Sequence, residues 1–241
     1  MSKIKTKKID NKHKYLYETH THSSQASACA FSTGAKMVRA YAERGYSGLI
    51  MTDHFFNGNT GIRAGLPWDK RVDLFLKGYE DALAEGEKIG FRVFLGWEYA
   101  DRGMEFLTYG LDKEFLLDHP DMLSWTIEKY LTTARQAGAF IVQAHPFREA
   151  SYIKEIRLYP DYVDGVEVVN TSHRDPSYDK KALEFAIENK LLMTSGSDSH
   201  SVDYKLTGGM AFEHKLESIE DFIKATRSGN YSLLGYKSEA R

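Results

Sequence analysis

The 241-residue sequence is poor in cysteine, in long apolar runs and in net charge. Cys29 is the single cysteine, which excludes an internal disulfide and is typical of a reducing compartment. No segment approaches the roughly 20 apolar residues that a membrane-spanning helix needs. The formal net charge of -2 gives no overall basic field that would attract nucleic acid. Neither a membrane nor a nucleic acid is therefore the expected partner.

The sequence also lacks a glycine-rich dinucleotide motif, a Walker A loop, an internal repeat and a low-complexity linker. Residues 1–14 contain six lysines and one acid, without the apolar core of a secretory signal. We expect a flexible basic arm over residues 1–14 and one catalytic domain over residues 15–241, in a cytoplasmic protein. Binding of the arm to nucleic acid or to a partner is the alternative.

Short, continuously apolar runs predict seven strands that are buried on both faces. They cover residues 15–18, 48–52, 92–96, 105–110, 140–144, 165–169 and 191–195. Helical periodicity predicts helices over residues 33–43 and 121–137, before Leu191 and after Ser218. Alternating strands and helices indicate a parallel sheet, which forms either a barrel or an open doubly wound fold.

Residues able to bind metal stand at the ends of five of these runs. His20 and His22 are one residue apart, so in a strand both imidazoles point to the same side and suit one metal ion. Imidazole and carboxylate favour zinc, manganese or iron, and the scarcity of cysteine argues against a structural thiolate zinc site. The pattern predicts a hydrolytic metal centre built from His20 and His22, Asp53 and His54, Glu98, His145, and Asp198 and His200.

Five motifs, in a fixed order, resemble the polymerase and histidinol phosphatase (PHP) family. They are His20-Thr21-His22, Thr52-Asp53-His54, Gly96-Trp97-Glu98, Ala144-His145-Pro146 and Gly196-Ser197-Asp198-Ser199-His200. The resemblance covers residues 15–236. It implies an α/β fold of the distorted (β/α)7 barrel type, with two or three divalent metal ions (Zn, Mn or Fe) at the carboxyl ends of the strands.

The resemblance also implies how the metal ligands are shared. His20, His22, Glu98 and Asp198 would hold a first metal ion. Glu98 would bridge to a second ion, which His145 also binds. A third ion would be held by His54 and His200, whereas Asp53 is expected to face away and to support its neighbours.

Three positions depart from the family's pattern. Glu18 stands where the family usually has an aspartate before the first histidine, and it is expected to be structural or to support the ligands. Cys29 lies near the place of a third-metal ligand, where it either binds the ion or is a buried thiol. Glu105 stands near the place of a histidine and is a candidate ligand, because a carboxylate can replace an imidazole at a hard-metal site.

Three further residues are candidates for binding substrate. Arg148 follows His145 closely, and its guanidinium suits phosphate oxygens, the alternative being a surface salt bridge. His173 either binds the second metal ion, touches the substrate or is an ordinary loop residue. Asn170 is expected to line the pocket.

The expected activity is hydrolysis of a small phosphate monoester or phosphodiester by a metal-bound hydroxide. Asp198 would orient the hydroxide or accept its proton, and His200 or His54 would assist the leaving oxygen. The expected partner is therefore a small phosphorylated substrate. Two alternatives remain open, namely a metal-dependent hydrolase of a C–O or C–N bond and a non-catalytic PHP module.

Overall fold

A nine-stranded sheet forms the centre of the molecule in the computed structural model, which describes residues 12–204 and 207–235. The strands lie side by side in the order β7-β6-β5-β4-β3-β2-β1-β8-β9. Their bounds are β1 (Tyr15–Thr21), β2 (Gly48–Met51), β3 (Arg92–Asp101), β4 (Met104–Tyr109), β5 (Phe140–Ala144), β6 (Gly165–Asn170), β7 (Leu192–Gly196), β8 (Met210–Phe212) and β9 (Tyr231–Leu233).

The sheet is mixed, which corrects the prediction of a parallel sheet. β1, β2 and β3 are parallel, as are β5, β6 and β7, but β4 runs antiparallel to both of its neighbours. β3 and β4 are joined through Arg102 and Gly103, whose φ angles of 49° and 90° suit a tight hairpin. β3 extends five residues past the predicted end at Gly96, so Glu98 lies inside the strand.

The first and seventh strands meet and nearly close the sheet into a barrel. Thr19 Oγ1 donates to the carbonyl of Ser195 over 2.7 Å. The amide of His22 donates to the carbonyl of Ser199 over 2.9 Å. β8 and β9 extend the sheet beside this junction, where Ser195 Oγ donates to the carbonyl of Leu234 over 2.6 Å. The predicted α/β barrel is confirmed.

Seven helices surround the barrel in the part of the chain that is described. Thr33 and Ser218 cap the helices that begin at Gly34 and Ile219, because their side-chain oxygens accept from the amides of Lys36 and Asp221. The helices are α1 (Gly34–Glu43), α2 (Trp68–Phe75), α3 (Lys77–Ile89), α4 (Lys113–Asp118), α5 (Ile127–Gln136), α6 (Ser177–Asn189) and α7 (Ile219–Arg227). None of the described helices is long and apolar enough to cross a membrane.

The predicted helix over residues 121–137 is shorter than its apolar stripe. Residues Met122–Ser124 form a 3-10 turn, and Trp125 is extended with ψ of 151°. Thr126 then caps α5, because its side chain accepts from the amide of Lys129. The helix therefore begins at Ile127, and Leu123 is left 37% exposed.

Residues 1–11 of the predicted basic arm lie outside the described residues, so its flexibility stays a prediction. The last three residues of the arm pack on the sheet. Lys12 Nζ lies 3.0 Å from Glu213 Oε2, and the amide of Lys14 donates to the carbonyl of Phe212. His13 is buried against Ser232.

Candidate metal centre

His20, on β1, and His22, which directly follows the strand, lie side by side, as their spacing predicts. Their ring centroids are 5.1 Å apart, and both side chains are fully buried. His20 Nε2 lies 3.2 Å from Glu98 Oε1, and His22 Nε2 lies 3.6 Å from Glu98 Oε2. Both imidazoles thus face one carboxylate on β3.

Glu98 is the centre of the cluster. In addition to His20 and His22, His145 Nε2 lies 3.1 Å from Glu98 Oε1, and His54 Nδ1 lies 2.7 Å from Glu98 Oε2. Four imidazoles therefore surround one fully buried carboxylate, two on each oxygen. This arrangement suits a carboxylate that bridges two cations.

Glu105 also lies in the cluster. It stands near the start of β4, which is antiparallel to β3, so it lies at the same end of the barrel as the end of β3. Its carboxylate oxygens lie 3.6 Å from His54 Nδ1 and 3.5 Å from His145 Nε2. Glu105 is thus within reach of an ion that these two histidines would bind.

Asp198 and His200 complete the cluster from the segment after β7. Asp198 Oδ1 lies 3.1 Å from His22 Nε2 and 3.5 Å from His20 Nε2. The ring of His200 stacks on His22 with 4.2 Å between centroids. Asp198 has a φ of 51°, in the left-handed region, which is characteristic of residues at functional sites.

The seven ligands that the resemblance implies and the candidate Glu105 belong to four overlapping groups of three, each with its donor atoms within 4.8 Å of one another, whereas Asp53 belongs to none. Some residues belong to two of these groups, so the geometry allows neighbouring ions to share ligands. They are His20–His22–Asp198, His20–Glu98–His145, His54–Glu98–Glu105 and His22–His54–His200.

The donor atoms of this cluster fit a divalent cation. Among the described residues, His20 Nε2, His54 Nδ1 and Glu98 Oε2 are buried and make no hydrogen bond of acceptable angle, although His54 Nδ1 and Glu98 Oε2 lie only 2.7 Å apart. Burying polar atoms unpaired costs free energy, and a cation that binds all three removes that cost. The set of imidazole nitrogens and carboxylate oxygens is the one that zinc, manganese and iron accept.

Hydrogen bonds behind the cluster hold the imidazoles in the required form. His20 Nδ1 donates to Glu167 Oε1 over 2.9 Å, which leaves Nε2 free to bind a metal. His22 Nδ1 lies 3.3 Å from Ser27 Oγ, and that hydroxyl donates to Asp53. Glu167 was not among the predicted site residues. The feature of the sequence that could have identified it is a charged residue inside a strand that is predicted to be buried.

The charges in the cluster shift the pKa values of its members. Burial and the Glu98 carboxylate raise the pKa of Glu105 to about 8. Burial alone would lower the pKa of His20, but the carboxylates of Glu167, Asp198 and Glu98 raise it well above its usual value. For Asp198, Arg148 and His20 outweigh burial and hold the pKa well below its usual value.

Two acids beside the ligands bind protein groups. Glu18 Oε1 accepts from the amides of Thr19, His20 and Ser197 over 2.9, 3.0 and 2.9 Å. Asp53 accepts from the amide and the hydroxyl of Ser23, each over 2.6 Å. Their carboxylates therefore hold the ligand-bearing segments in place.

The three candidate substrate residues have different surroundings. Arg148 reaches the rim of the cluster, where its Nη2 contacts Asp198 Oδ2. His173 belongs to none of the four groups of described residues, and its Nε2 lies 3.4 Å from Arg148 Nε. Asn170 is 1% exposed, and its amide donates to Glu167 over 2.9 Å. Its side chain thus supports the ligand sphere.

Cys29 is half-buried beside the third predicted ion position. Burial of the thiol raises its pKa, but hydrogen bonds with His200 and His54 lower it to about 6. Its sulfur belongs to none of the four groups of described residues. Whether it binds an ion stays a prediction.

Comparison with known proteins gives structural matches without close sequence relatives. No family model and no curated protein matches the chain. A two-domain Bacteroides vulgatus protein that contains a predicted PHP-like metal-dependent phosphoesterase matches with a TM-score of 0.67 and 17% identity. That match covers 92% of this chain and 65% of the Bacteroides chain, so this chain spans about two thirds of it.

Two further structures match over most of both chains. A Bifidobacterium adolescentis protein described as a putative metal-dependent phosphoesterase has a TM-score of 0.55 and 17% identity, over 80% of this chain and 90% of its own. A Chromobacterium violaceum amidohydrolase with bound sulfate and no metal has a TM-score of 0.59 and 15% identity, over 90% and 98%. The chain therefore has the PHP-type α/β barrel fold, as its motifs predict.

Proposed function

We propose that this protein is a metal-dependent phosphoesterase that hydrolyses a small phosphate monoester or phosphodiester. The observation that carries the proposal is the position of Arg148 at the rim of a cluster of eight metal-binding side chains. A guanidinium next to such a cluster suits phosphoryl oxygens, which carry negative charge that both cations and arginine neutralise.

His20, His22, Glu98 and Asp198 would hold one divalent ion, and Glu98, His145 and Glu105 would hold a second. His54 and His200 would hold a third. When bound, such ions lower the pKa of water toward neutrality and stabilise charge on phosphoryl oxygens. The metals proposed are zinc, manganese or iron, because imidazole and carboxylate suit all three.

The side chains of this site have separate tasks in the proposed reaction. Arg148 binds and orients the phosphoryl group through its guanidinium, which cannot lose its proton at neutral pH. Asp198 orients the attacking water through its carboxylate, which Arg148 and the nearby imidazoles keep ionised and able to accept a hydrogen bond. When no third ion is bound, His200 or His54 can give a proton to the leaving oxygen. Burial of the carboxylates keeps bulk solvent away from them, and the lower local dielectric strengthens each of these interactions.

A panel of substrates tests the proposal. The purified protein is loaded with manganese, zinc or iron, its metal content is measured by elemental analysis, and it is assayed on phosphate monoesters, phosphodiesters, lactones and amides. We expect two or three ions per chain and release of phosphate or cleavage of the diester. His20→Ala and Asp198→Asn should abolish turnover without unfolding the chain. His214→Ala, which replaces an exposed histidine, should leave turnover unchanged.

The same panel separates the alternatives. If the protein cleaves lactones or amides but no phosphate ester, it is the C–O or C–N hydrolase. The similar fold of the Chromobacterium amidohydrolase is the reason for testing this alternative. Metal binding without turnover of any substrate class would favour a non-catalytic module. Full activity of the His20→Ala protein would contradict the assigned centre.

A further inference from the structure

A row of hydrogen-bonded side chains runs from helix α6 to the metal cluster. Asp179, in the first turn of α6, accepts at Oδ1 from His173 Nδ1 over 2.8 Å. His173 Nε2 lies 3.4 Å from Arg148 Nε. Arg148 in turn contacts Asp198. The row thus links a helix outside the barrel to one of the metal-binding carboxylates.

The chemistry of these groups fixes the direction of each hydrogen bond. A carboxylate only accepts, so Nδ1 of His173 carries the proton that Asp179 receives. Arginine only donates, so Nε2 of His173 must offer its lone pair to Arg148 Nε. The neutral imidazole with its proton on Nδ1 is the form that satisfies both neighbours. Asp179 is itself fixed, because its Oδ1 also accepts from the amide of Asn170 over 3.2 Å.

Both ring nitrogens of His173 are therefore engaged by protein groups. Its ring centroid lies 6.4 Å from that of His145, and it belongs to none of the metal-binding groups of the described residues. These contacts leave His173 without a nitrogen for a metal ion or a substrate. The same contacts place the imidazole against the side chain of Arg148.

An arginine side chain has many rotamers, and holding it in one costs conformational entropy. Three contacts hold that of Arg148: Nε to His173, Nη2 to Ser172 Oγ over 3.3 Å, and Nη2 to Asp198. Its side chain is 20% exposed, and these contacts with described residues use Nε and Nη2, which leaves Nη1 as the donor for a ligand. The contacts thereby direct the planar fork to the mouth of the metal cluster before a ligand arrives.

We propose that His173, oriented by Asp179, is a positioning residue that acts on the substrate through Arg148. This proposal rests on the proposed phosphoesterase function and deepens it. It assigns the recognition of the phosphoryl group to an arginine held in place by a histidine. Its tests therefore need a readout that is independent of turnover.

Binding of inorganic phosphate to the manganese-loaded protein provides that readout. Calorimetry gives the Kd for the wild type, His173→Ala, His173→Gln, Arg148→Ala and the His173→Ala/Arg148→Ala double variant. Loss of one hydrogen bond should weaken phosphate binding about fivefold in His173→Ala. His173→Gln supplies an amide oxygen in place of Nε2 and should bind phosphate within about twofold of the wild type.

The double variant decides between a role through Arg148 and an independent role. If His173 acts through Arg148, replacing it in the Arg148→Ala protein changes the phosphate Kd no further. If replacing His173 with alanine weakens phosphate binding equally in the presence and in the absence of Arg148, the proposal is overturned. Such a result would indicate a direct contact with phosphate or a general structural effect. Loss of manganese on His173→Ala, measured by elemental analysis, would overturn it as well, because His173 would then be a ligand.

Failure of the proposed function gives a different result. One such result is that the wild-type protein binds phosphate, with His173 contributing only through Arg148, and yet cleaves no phosphate ester. That result would refute the phosphoesterase function and leave the role of His173 intact. A manganese-loaded protein that does not bind phosphate would overturn the role of His173. His214→Ala serves as the matched histidine control, and its phosphate Kd should equal that of the wild type.

Discussion

The thiol of Cys29 lies beside two of the candidate metal ligands. Hydrogen bonds with His200 and His54 outweigh burial and lower its pKa to about 6. In the metal-free protein, the thiolate should therefore already predominate at pH 7. We expect the rate of alkylation by iodoacetamide to rise up to about pH 7 and then to level off, as followed by mass spectrometry.

The chain offers a clean control, since it contains one cysteine. Cys29→Ser should take up no label at any pH. A rate that keeps rising through pH 8 to 9, as for an ordinary thiol, would contradict the lowered pKa.

Glu105 gives the metal-free protein a stability that depends on pH. Burial and Glu98 raise its pKa to about 8, above the value of roughly 4.3 in an unfolded chain. A carboxyl group whose pKa is raised by folding stabilises the protein fully below its unfolded pKa. That stability is lost as pH rises through about 8.

Replacing Glu105 with glutamine should remove this dependence. At pH 8.5 without metal, Glu105→Gln should be more stable than the wild type by about 4 kcal/mol, or roughly 8–16 °C in Tm, because about three pKa units of linkage are lost between pH 5 and pH 8. At pH 5 the two proteins should unfold at similar temperatures. Thermal unfolding in buffers with chelator measures both, and an identical loss of stability in the two proteins between pH 5 and pH 8.5 would refute the assignment.

At the scale of elements, Glu18 joins the two strands whose meeting closes the barrel. Its carboxylate accepts from the amides of Thr19 and His20 on β1 and of Ser197 after β7, and from the hydroxyl of Tyr41 on α1. Glu18→Ala should lower the free energy of unfolding by about 3 kcal/mol, because it leaves buried amides without acceptors.

Urea unfolding of the metal-free protein measures the effect of Glu18→Ala. Glu188→Ala, at an exposed acid on α6, is the matched control and should change stability by less than about 0.5 kcal/mol. A loss in Glu18→Ala no larger than in this control would show that the junction does not depend on the carboxylate.

Strand positions were predictable from the sequence, but strand directions were not. Each of the seven predicted strands overlaps an observed one, because continuous apolar runs require burial on both faces. The reversal of β4 depends on the hairpin at Arg102 and Gly103 and on pairing with β5, which is distant in sequence. β8 and β9 have three residues each, too few for a period to appear.

At the scale of the whole molecule, the cluster is assembled by the barrel. Its candidate ligands come from β1, β3 and β4, and from the segments after β1, β2, β5 and β7. The motifs at strand ends predict which side chains converge, because strand ends share one face of a barrel. The supporting contacts of Glu167 and Asp179 were not predicted, because they depend on how distant segments pack.

This distribution of ligands predicts that bound metal stabilises the entire fold. An ion that binds the folded chain at 1,000 times its Kd adds about 4.1 kcal/mol, or roughly 8–16 °C in Tm. Calorimetric unfolding with manganese and with chelator should show this difference in Tm, and His20→Ala should show little of it.

The increase in Tm on metal binding should be smaller at pH 6 than at pH 8. Metal competes with protons at His20 and His54, and neighbouring carboxylates outweigh burial to raise both pKa values. Equal Tm values with manganese and with chelator at pH 8 would mean that the eight side chains do not hold a cation together.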